Sequence, residues 1–450
     1  MKTFITIAIQ WLITITVFAA PLSLEQAKAL ALQNNTEYLT AKASFEAAKW
    51  GKNASLGSML PSLTLGGSFI YMDPATTVQT GGAPTTLNHD FRAVSLNLSQ
   101  PLYMGGKLWN AYKINGIAEK MARLGLRNQE LSLYSKVEEL YLNALQMQAI
   151  MKISELDLQS AIRNLEIAQL KYDNGLISNA DLLRLQSNKA SKDVSVLQAR
   201  TAMQLSLRSL MNYLDLDEVP TLVEIDQSDN SLVQTSLQNF DNAQTDALID
   251  RAVNYATDHN IGIAINEQSV QIAKRSYSIA KSSFLPTVML TGSRTYSENG
   301  IDRYEFEADN QLILSASIPL LPQYKNYAAS RQAYYSMRQS ELGSVSVKRG
   351  IRLGVESSVL ALISNVKQVN AATLALSYSE ESYRQLQERF RNNMLSAGDM
   401  LDAELMVMSA RTALTNSMYS MLKSKTALLQ ALGTDNPRML TNLINGDTEE

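Results

Sequence analysis

NTEYLTAKASFEAAKWGKNASLGSMLPSLTLGGS at residues 35–68 and NIGIAINEQSVQIAKRSYSIAKSSFLPTVMLTGS at residues 260–293 carry the same signals in the same order. Each begins with Asn, runs through a helix-forming stretch to Leu-Pro, and ends in a short alternating strand with Gly-Ser. The copies stand about 225 positions apart, half the chain. A second pair, KYDNGLISNADLL at 171–183 and RFRNNMLSAGDML at 389–401, recurs at a spacing of about 218. The slip has a simple source, since the loop from Asp73 to Asp90 is longer than its counterpart around Glu298 to Asp302. A fixed long period with length changes confined to loops is how a duplicated unit reads. Two pseudo-equivalent halves are therefore expected.

Proline placement draws the map. No proline occurs between Pro101 and Pro220 or between Pro322 and Pro437, and both gaps are rich in Ala, Leu, Gln, Lys and Glu. In the first gap Val137, Leu140, Ala144, Met147, Met151, Leu158, Ala161, Leu165 and Ala168 form a heptad stripe, with Ser154 as its polar interruption. The pattern predicts a long helix over 107–172, about 100 Å at 1.5 Å per residue, and a second over 326–390. Asn174-Gly175 suits a left-handed C-terminal cap. Ser178 with Asp181, and Ser396 with Asp399, start return helices over 178–212 and 396–432 in the manner of a capping box. Half-length helices, about Leu24 to Leu56 and Asp246 to Ser283, precede the strands. Two such helices end to end match one long helix, so each repeat could form equal antiparallel rods of a hollow or solid cylinder.

Between half helix and long helix lies a hairpin, at 62–100 in repeat 1 (20–212) and at 287–318 in repeat 2 (246–432). Leu63, Leu65, Phe69, Tyr71, Val94, Leu96 and Leu98 alternate with Ser62, Thr64, Ser68, Ser95, Asn97 and Ser99. Val288, Leu290, Tyr296, Leu312 and Leu314 alternate with Thr287, Thr291, Ser293, Thr295, Gln311 and Ser315 in the second copy. Strands of about ten residues with this dyad pattern fit a membrane barrel, apolar outward and polar inward, with Tyr71, Tyr296 and Tyr304 as interface girdle. A half-buried soluble sheet is the competing reading, but four strands cannot close and nothing nearby offers a covering helix. A membrane barrel has no open edge and about eight strands is its practical minimum, so subunits must share one. Pro61 and Pro286 before the hairpins, and Pro101 and Pro319 after them, mark the junction of barrel and rods. Gly105-Gly106 supplies freedom for a sharp redirection.

Composition excludes several classes. With 40 Lys and Arg against 43 Asp and Glu, the net charge of −3 carries no nucleic-acid footprint. The absence of cysteine excludes disulfides, cysteine-ligated metal and a lipidated N-terminal Cys. His89 and His259 have no companion ligands at metal-site spacing, so neither metal nor cofactor is expected. No nucleophile–base pair or phosphate loop suggests an enzyme. Residues 1–19 read as a signal peptide: Lys2, an apolar stretch from Phe4 to Phe18, and small residues at Val17 and Ala19. That stretch is too short to span a bilayer, which needs about twenty residues, and no other segment shows an apolar run of its length. The segments 213–245 and 433–450 show only Asn, Asp, Ser and Thr enrichment.

SLEQAKALALQNN at 23–35, the Leu-Pro before each strand, QPLYMGGK at 100–107 and the paired Ser-x-x-Asp turns resemble the TolC-type outer-membrane efflux proteins over about residues 22–433. The resemblance implies an α+β membrane protein: a long antiparallel α-helical coiled-coil barrel continuous with a transmembrane β-barrel of four strands per protomer, shared in a homotrimer with two internal repeats. It implies a channel-tunnel serving as exit duct of a tripartite efflux or type I secretion system in the Gram-negative outer membrane, among its lipids. Its partners would be a periplasmic adaptor and an inner-membrane pump of RND, ABC or MFS type. The segment 213–245 would form an equatorial belt with the tail 433–450. By the same resemblance Asp399, Asp402, Asp181 and Arg184 form the constriction or gate, and Gly175, Leu176, Ser178, Asn393, Met394 and Ser396 the adaptor-docking tip. Capping alone accounts for Asp399, whereas Asp402 falls outside the cap. The family's gate-bonding Tyr and Arg are replaced here by Phe390 and Leu395, which leaves Arg184 to pair with a carboxylate. The alternative class is a periplasmic coiled-coil scaffold, which would explain helices and export but not the hairpins.

Overall fold

The computed structural model describes residues 21–73, 77–78, 85–86, 90–225, 228–298, 305–321 and 323–446. The signal segment 1–19, His89, Tyr304 and the end of the tail, 447–450, lie outside the described residues. Elements run α1 (Leu24–Asn34), α2 (Thr36–Gly57), β1 (Ser62–Tyr71), β2 (Thr77–Val78), β3 (Thr85–Thr86), β4 (Asp90–Met104), α3 (Lys107–Asp173) and α4 (Asn179–Leu214). They continue with α5 (Ser228–Leu237), α6 (Asn242–His259), α7 (Ile261–Ser282), β5 (Thr287–Glu298), β6 (Phe306–Ser317), α8 (Tyr324–Arg391), α9 (Ala397–Leu432) and α10 (Pro437–Asn445). Helices α3 and α8 have 67 and 68 residues, and α4 and α9 have 36 each.

Each expected half helix is two helices. Asn35 and Asn260 adopt extended backbone, and their side chains cap α2 and α7. Asn35 Oδ1 accepts from the N–H of Glu37 and Tyr38 at 3.0 and 3.1 Å, and Asn260 Oδ1 from those of Gly262 and Ile263 at 2.8 and 3.4 Å. A short side chain that satisfies orphan N–H groups turns a continuous helical pattern into a break. The signal is the Asn that opens both repeated stretches.

One compact unit comprises Thr40–Asn128 and His259–Ile351. Its sheet is antiparallel in the order β1-β4-β5-β6, so the two hairpins join through β4 and β5. The register puts Leu63 opposite Leu98, Leu65 opposite Leu96, Gln100 opposite Leu290, and Leu290 opposite Leu314. Opposed residues share a face. One face therefore carries Leu63, Leu65, Leu96, Leu98, Leu290, Leu312 and Leu314, and the other Thr64, Ser95, Asn97, Ser293, Thr295 and Gln311. Both edge strands, β1 and β6, are exposed along their length.

Pro61 and Pro286 directly precede β1 and β5, and Pro319 follows β6, but Pro101 lies inside β4 rather than after it. It is tolerated because β1 pairing stops at Ser99 and the β4–β5 register shifts between Pro101 and Tyr103, so the missing N–H falls at a bulge. Gly105 and Gly106 then turn the chain with φ of +62° and +80°. A Cβ on Gly105 would stand 2.6 Å from the Ser282 carbonyl oxygen, which leaves room for glycine alone. Ion pairs brace the adjoining helices, Lys52 to Glu119 and Lys348 to Glu267, each at 2.8 Å.

The other unit comprises the chain up to Leu39, Gln129–Asp258 and the chain from Arg352. One core gathers Leu22, Ala27, Ala31, Val137, Ala144, Leu207, Leu210 and Leu214 around Tyr141. The buried Tyr141 hydroxyl sits 2.8 and 2.6 Å from the carbonyls of Leu22 and Val223 and accepts from the Val223 N–H at 3.0 Å. It thereby clamps the bridge between Leu22 and Leu222. Segment 213–245 is thus more than a polar linker: besides that bridge it contains α5, which buries Val233 and Leu237. The tail likewise forms α10, which buries Leu440, Leu443 and Ile444. Both were illegible because three apolar residues at helical spacing are too few to stand out in a polar segment.

Helix α8 contains an 18-residue stretch of mean hydropathy 1.3, apolar enough by length and composition to cross a membrane. This corrects the expectation that no segment beyond the N-terminus is so apolar. Of that stretch 28% is buried, and along the helix Val355, Val359, Leu362, Ile363, Val366 and Val369 form the packed stripe.

Candidate functional site: the paired turns

The turn after α3 and the turn after α8 are built alike. Leu176 N–H donates to the Lys171 carbonyl at 2.8 Å and Gly175 N–H to the Tyr172 carbonyl at 2.8 Å. In the second turn Met394 N–H reaches the Arg389 carbonyl at 2.8 Å and Asn393 N–H the Phe390 carbonyl at 3.1 Å. These six-to-one and five-to-two bonds are a Schellman motif, which needs a left-handed residue. Gly175 (φ +73°) and Asn393 (φ +62°) provide it. Leu176 and Met394 project from the two turns, 56% and 72% exposed, unlike most apolar side chains of this unit.

Ser178 and Ser396 cap α4 and α9. The N–H of Asp181 and Asp399 donates to the serine hydroxyl at 3.1 and 3.2 Å, and that hydroxyl donates back to the carboxylate at 2.7 Å in both turns. The carboxylate returns to the hydroxyl rather than to the cap backbone, so the motif is a variant of the expected capping box. Asp399 is held by its cap, while Asp402, one turn on, is exposed with no side-chain partner among the described residues. That division follows the one drawn from sequence spacing.

Behind the turns lies a cluster in which Phe390 from α8 is fully buried against Ala168, Leu182, Leu185, Ala397 and Met400. Leu395 packs onto its edge. The Lys171 ammonium lies 4.1 Å from the Phe390 ring centroid and donates to the Phe390 carbonyl. Burial pulls the Lys171 amine below its ordinary value. Two helix C-termini surround this cation, and their negative dipole ends favour it there. Sequence reasoning passed over Lys171 even though it opens the repeated motif. Arg184 forms no ion pair among the described residues, contrary to expectation. Its guanidinium instead lies 3.0 Å from where a Cβ on Gly398 would stand. Glycine there leaves the space, so Arg184 covers the start of α9 instead of seeking a carboxylate.

A sequence model of the outer membrane efflux protein family matches residues 28–215 and 233–434. The outer membrane protein TolC of Escherichia coli strain K12 is 23% identical over 426 residues, covering 92% of this chain and 82% of that protein. The structure of CusC, described in terms of folding and transmembrane channel formation, superposes with a TM-score of 0.77 at 17% identity and 93% coverage of both chains. That of the outer membrane protein VceC from Vibrio cholerae gives 0.77 at 16%, covering 91% of this chain and 96% of that one.

Proposed function

The chain belongs to the outer membrane efflux protein family, and on that premise we propose that three copies share one membrane barrel as the exit duct of a tripartite pump. An efflux role in the Gram-negative outer membrane comes with the family, and the scaffold alternative falls with it. The observation that carries the trimer is the sheet: four strands with the leucines on one face and most Ser and Thr side chains on the other, and with both edges exposed. Open edges are not tolerated in a bilayer, so β1 of one copy pairs with β6 of the next. Three sheets of four strands make a twelve-stranded barrel, leucines toward lipid and Ser, Thr, Asn and Gln toward water. The helices form the periplasmic tunnel, and the two halves descend from one duplicated unit.

The paired turns are the tunnel's periplasmic tip. Leu176 and Met394, with Gly175, Asn393, Ser178 and Ser396 beneath them, offer apolar knobs on rigid capped turns to the adaptor. Asp402 lines the constriction with Asp399 behind it, and Asp181 serves its cap. Light scattering of the detergent-extracted protein tests the architecture. A trimer that resists dissociation is expected, and a well-folded monomer would overturn it.

A further inference from the structure

Adjoining the tip cluster is a layer of buried polar side chains to which four helices contribute. Asp157 and Asn164 come from α3, Lys192 from α4, Tyr383 from α8 and Glu404 from α9. Lys192 Nζ lies 2.6 Å from Asp157 Oδ2 and 3.3 Å from Met408 Sδ. Asn164 is fully buried, and its amide nitrogen lies 3.3 Å from both Glu404 Oε2 and the Tyr383 hydroxyl. Arg411 borders the same small cavity but is engaged by Glu380 at 2.7 Å. Arg163, whose charge reaches Tyr383, lies at the surface.

Two carboxylates thus share one lysine, and beyond Asp157 Oδ2, which keeps that ion pair, two acceptors are left over. Glu404 Oε1 and Asn164 Oδ1 have no hydrogen-bond partner among the described residues. They belong to side chains already joined through their other polar atoms. A proton on Glu404 would remove the uncompensated charge and give the layer the hydrogen-bond donor it lacks. Burial foremost, then the Asp157 carboxylate, raises the Glu404 acid to about 7, against the opposing pull of Lys192 and Asn164.

We propose that Glu404 is a proton-binding site that locks the four helices behind the turns when occupied, and that losing the proton loosens their packing and favours opening. The proposal rests on the channel reading above. Its sign follows from linkage. The packed layer raises the acid from its ordinary 4.5, and helices that part return it toward that value in water. Packing is therefore fully favoured below about 4.5, loses this contribution as pH rises from there, and has lost it above about 7. A displacement of this size shifts the open-to-packed ratio by on the order of a hundredfold across the window.

The test uses the full-length protein in planar bilayers over about pH 4 to 8, the range that brackets this transition. The wild-type conducting fraction is expected to rise by at least about tenfold from the acid to the alkaline end of that range. Glu404→Gln, whose carboxamide reproduces the donor and acceptor of the neutral acid, should stay at the acid-side level throughout. Asp157→Asn should move the midpoint to lower pH. Asp399 and Asp402 remain in both variants, so their titration cannot mimic this pattern. Infrared difference spectra of the solubilised protein should show a carboxylic-acid band that vanishes near neutral pH and is missing from Glu404→Gln. An unchanged pH profile in that variant, or no such band, overturns the proton site. Failure to conduct at all would instead defeat the channel reading, and the infrared band would still decide the site.

Discussion

Replacing Phe390 with alanine attacks the cluster in which α3, α4, α8 and α9 meet behind the paired turns. The ring is fully buried and touches residues of α3, α4 and α9 at once, so no neighbour can move in without shifting a second helix. Phe-to-Ala changes at such sites cost about 3–5 kcal/mol, and poor collapse puts the cost toward the upper end. Lys171 adds to this, because without the ring its ammonium keeps only the carbonyl, losing about 0.5–2 kcal/mol of cation–π attraction. If opening separates the helices that meet at Phe390, the loss falls on the closed state alone. Even the lower figure then shifts the balance toward open by about two orders of magnitude per protomer. Single-channel recording should show larger, longer openings, and cells should become permeable to hydrophilic antibiotics too bulky for ordinary porins. Helix content and trimer yield should remain near wild type, since the core around Tyr141 is a separate cluster. A folded Phe390→Ala trimer with wild-type conductance would refute the idea that this cluster holds the tip shut.

Asp402→Asn should weaken cation preference and relieve block by multivalent cations added from the periplasmic side, whereas Asp399→Asn should mainly loosen the cap of α9, at a cost of about 1 kcal/mol in thermal stability; equal effects on block would refute this division. Leu176→Glu should abolish efflux at wild-type levels of inserted trimer, because the side chain is more than half exposed and little intramolecular packing is lost; unchanged drug resistance would count against docking at the turns. Gly106→Ala should cost about 1 kcal/mol through its positive φ, while Gly105→Ala adds a 2.6 Å clash with a backbone oxygen and should cut the yield of assembled protein severely. Matching yields of the two alanine variants would show that the turn can relax.

What the sequence made legible was whatever repeats or alternates locally. The dyad pattern of Leu63, Leu65, Leu96 and Leu98 assigned a common face before any register was known, because pleat geometry admits only two faces. The turns were legible for a similar reason: Asn174-Gly175 followed by Ser178 and Asp181 spells out backbone needs that only a few residue types meet. Helix breaks at Asn35 and Asn260 were missed because asparagine is tolerated within helices and its capping role depends on backbone conformation. Lys171, Asn164 and Glu404 were missed for a different reason. A heptad stripe picks out apolar residues along one helix, so it passed over Asp157 and Asn164, which share the buried face with Ala161 and Ala168. Their burial is decided by three other helices, hundreds of positions away in Glu404's case. A polar residue's role in such a layer depends on whether its donors and acceptors balance across the layer, and that balance exists only once all four helices are in place.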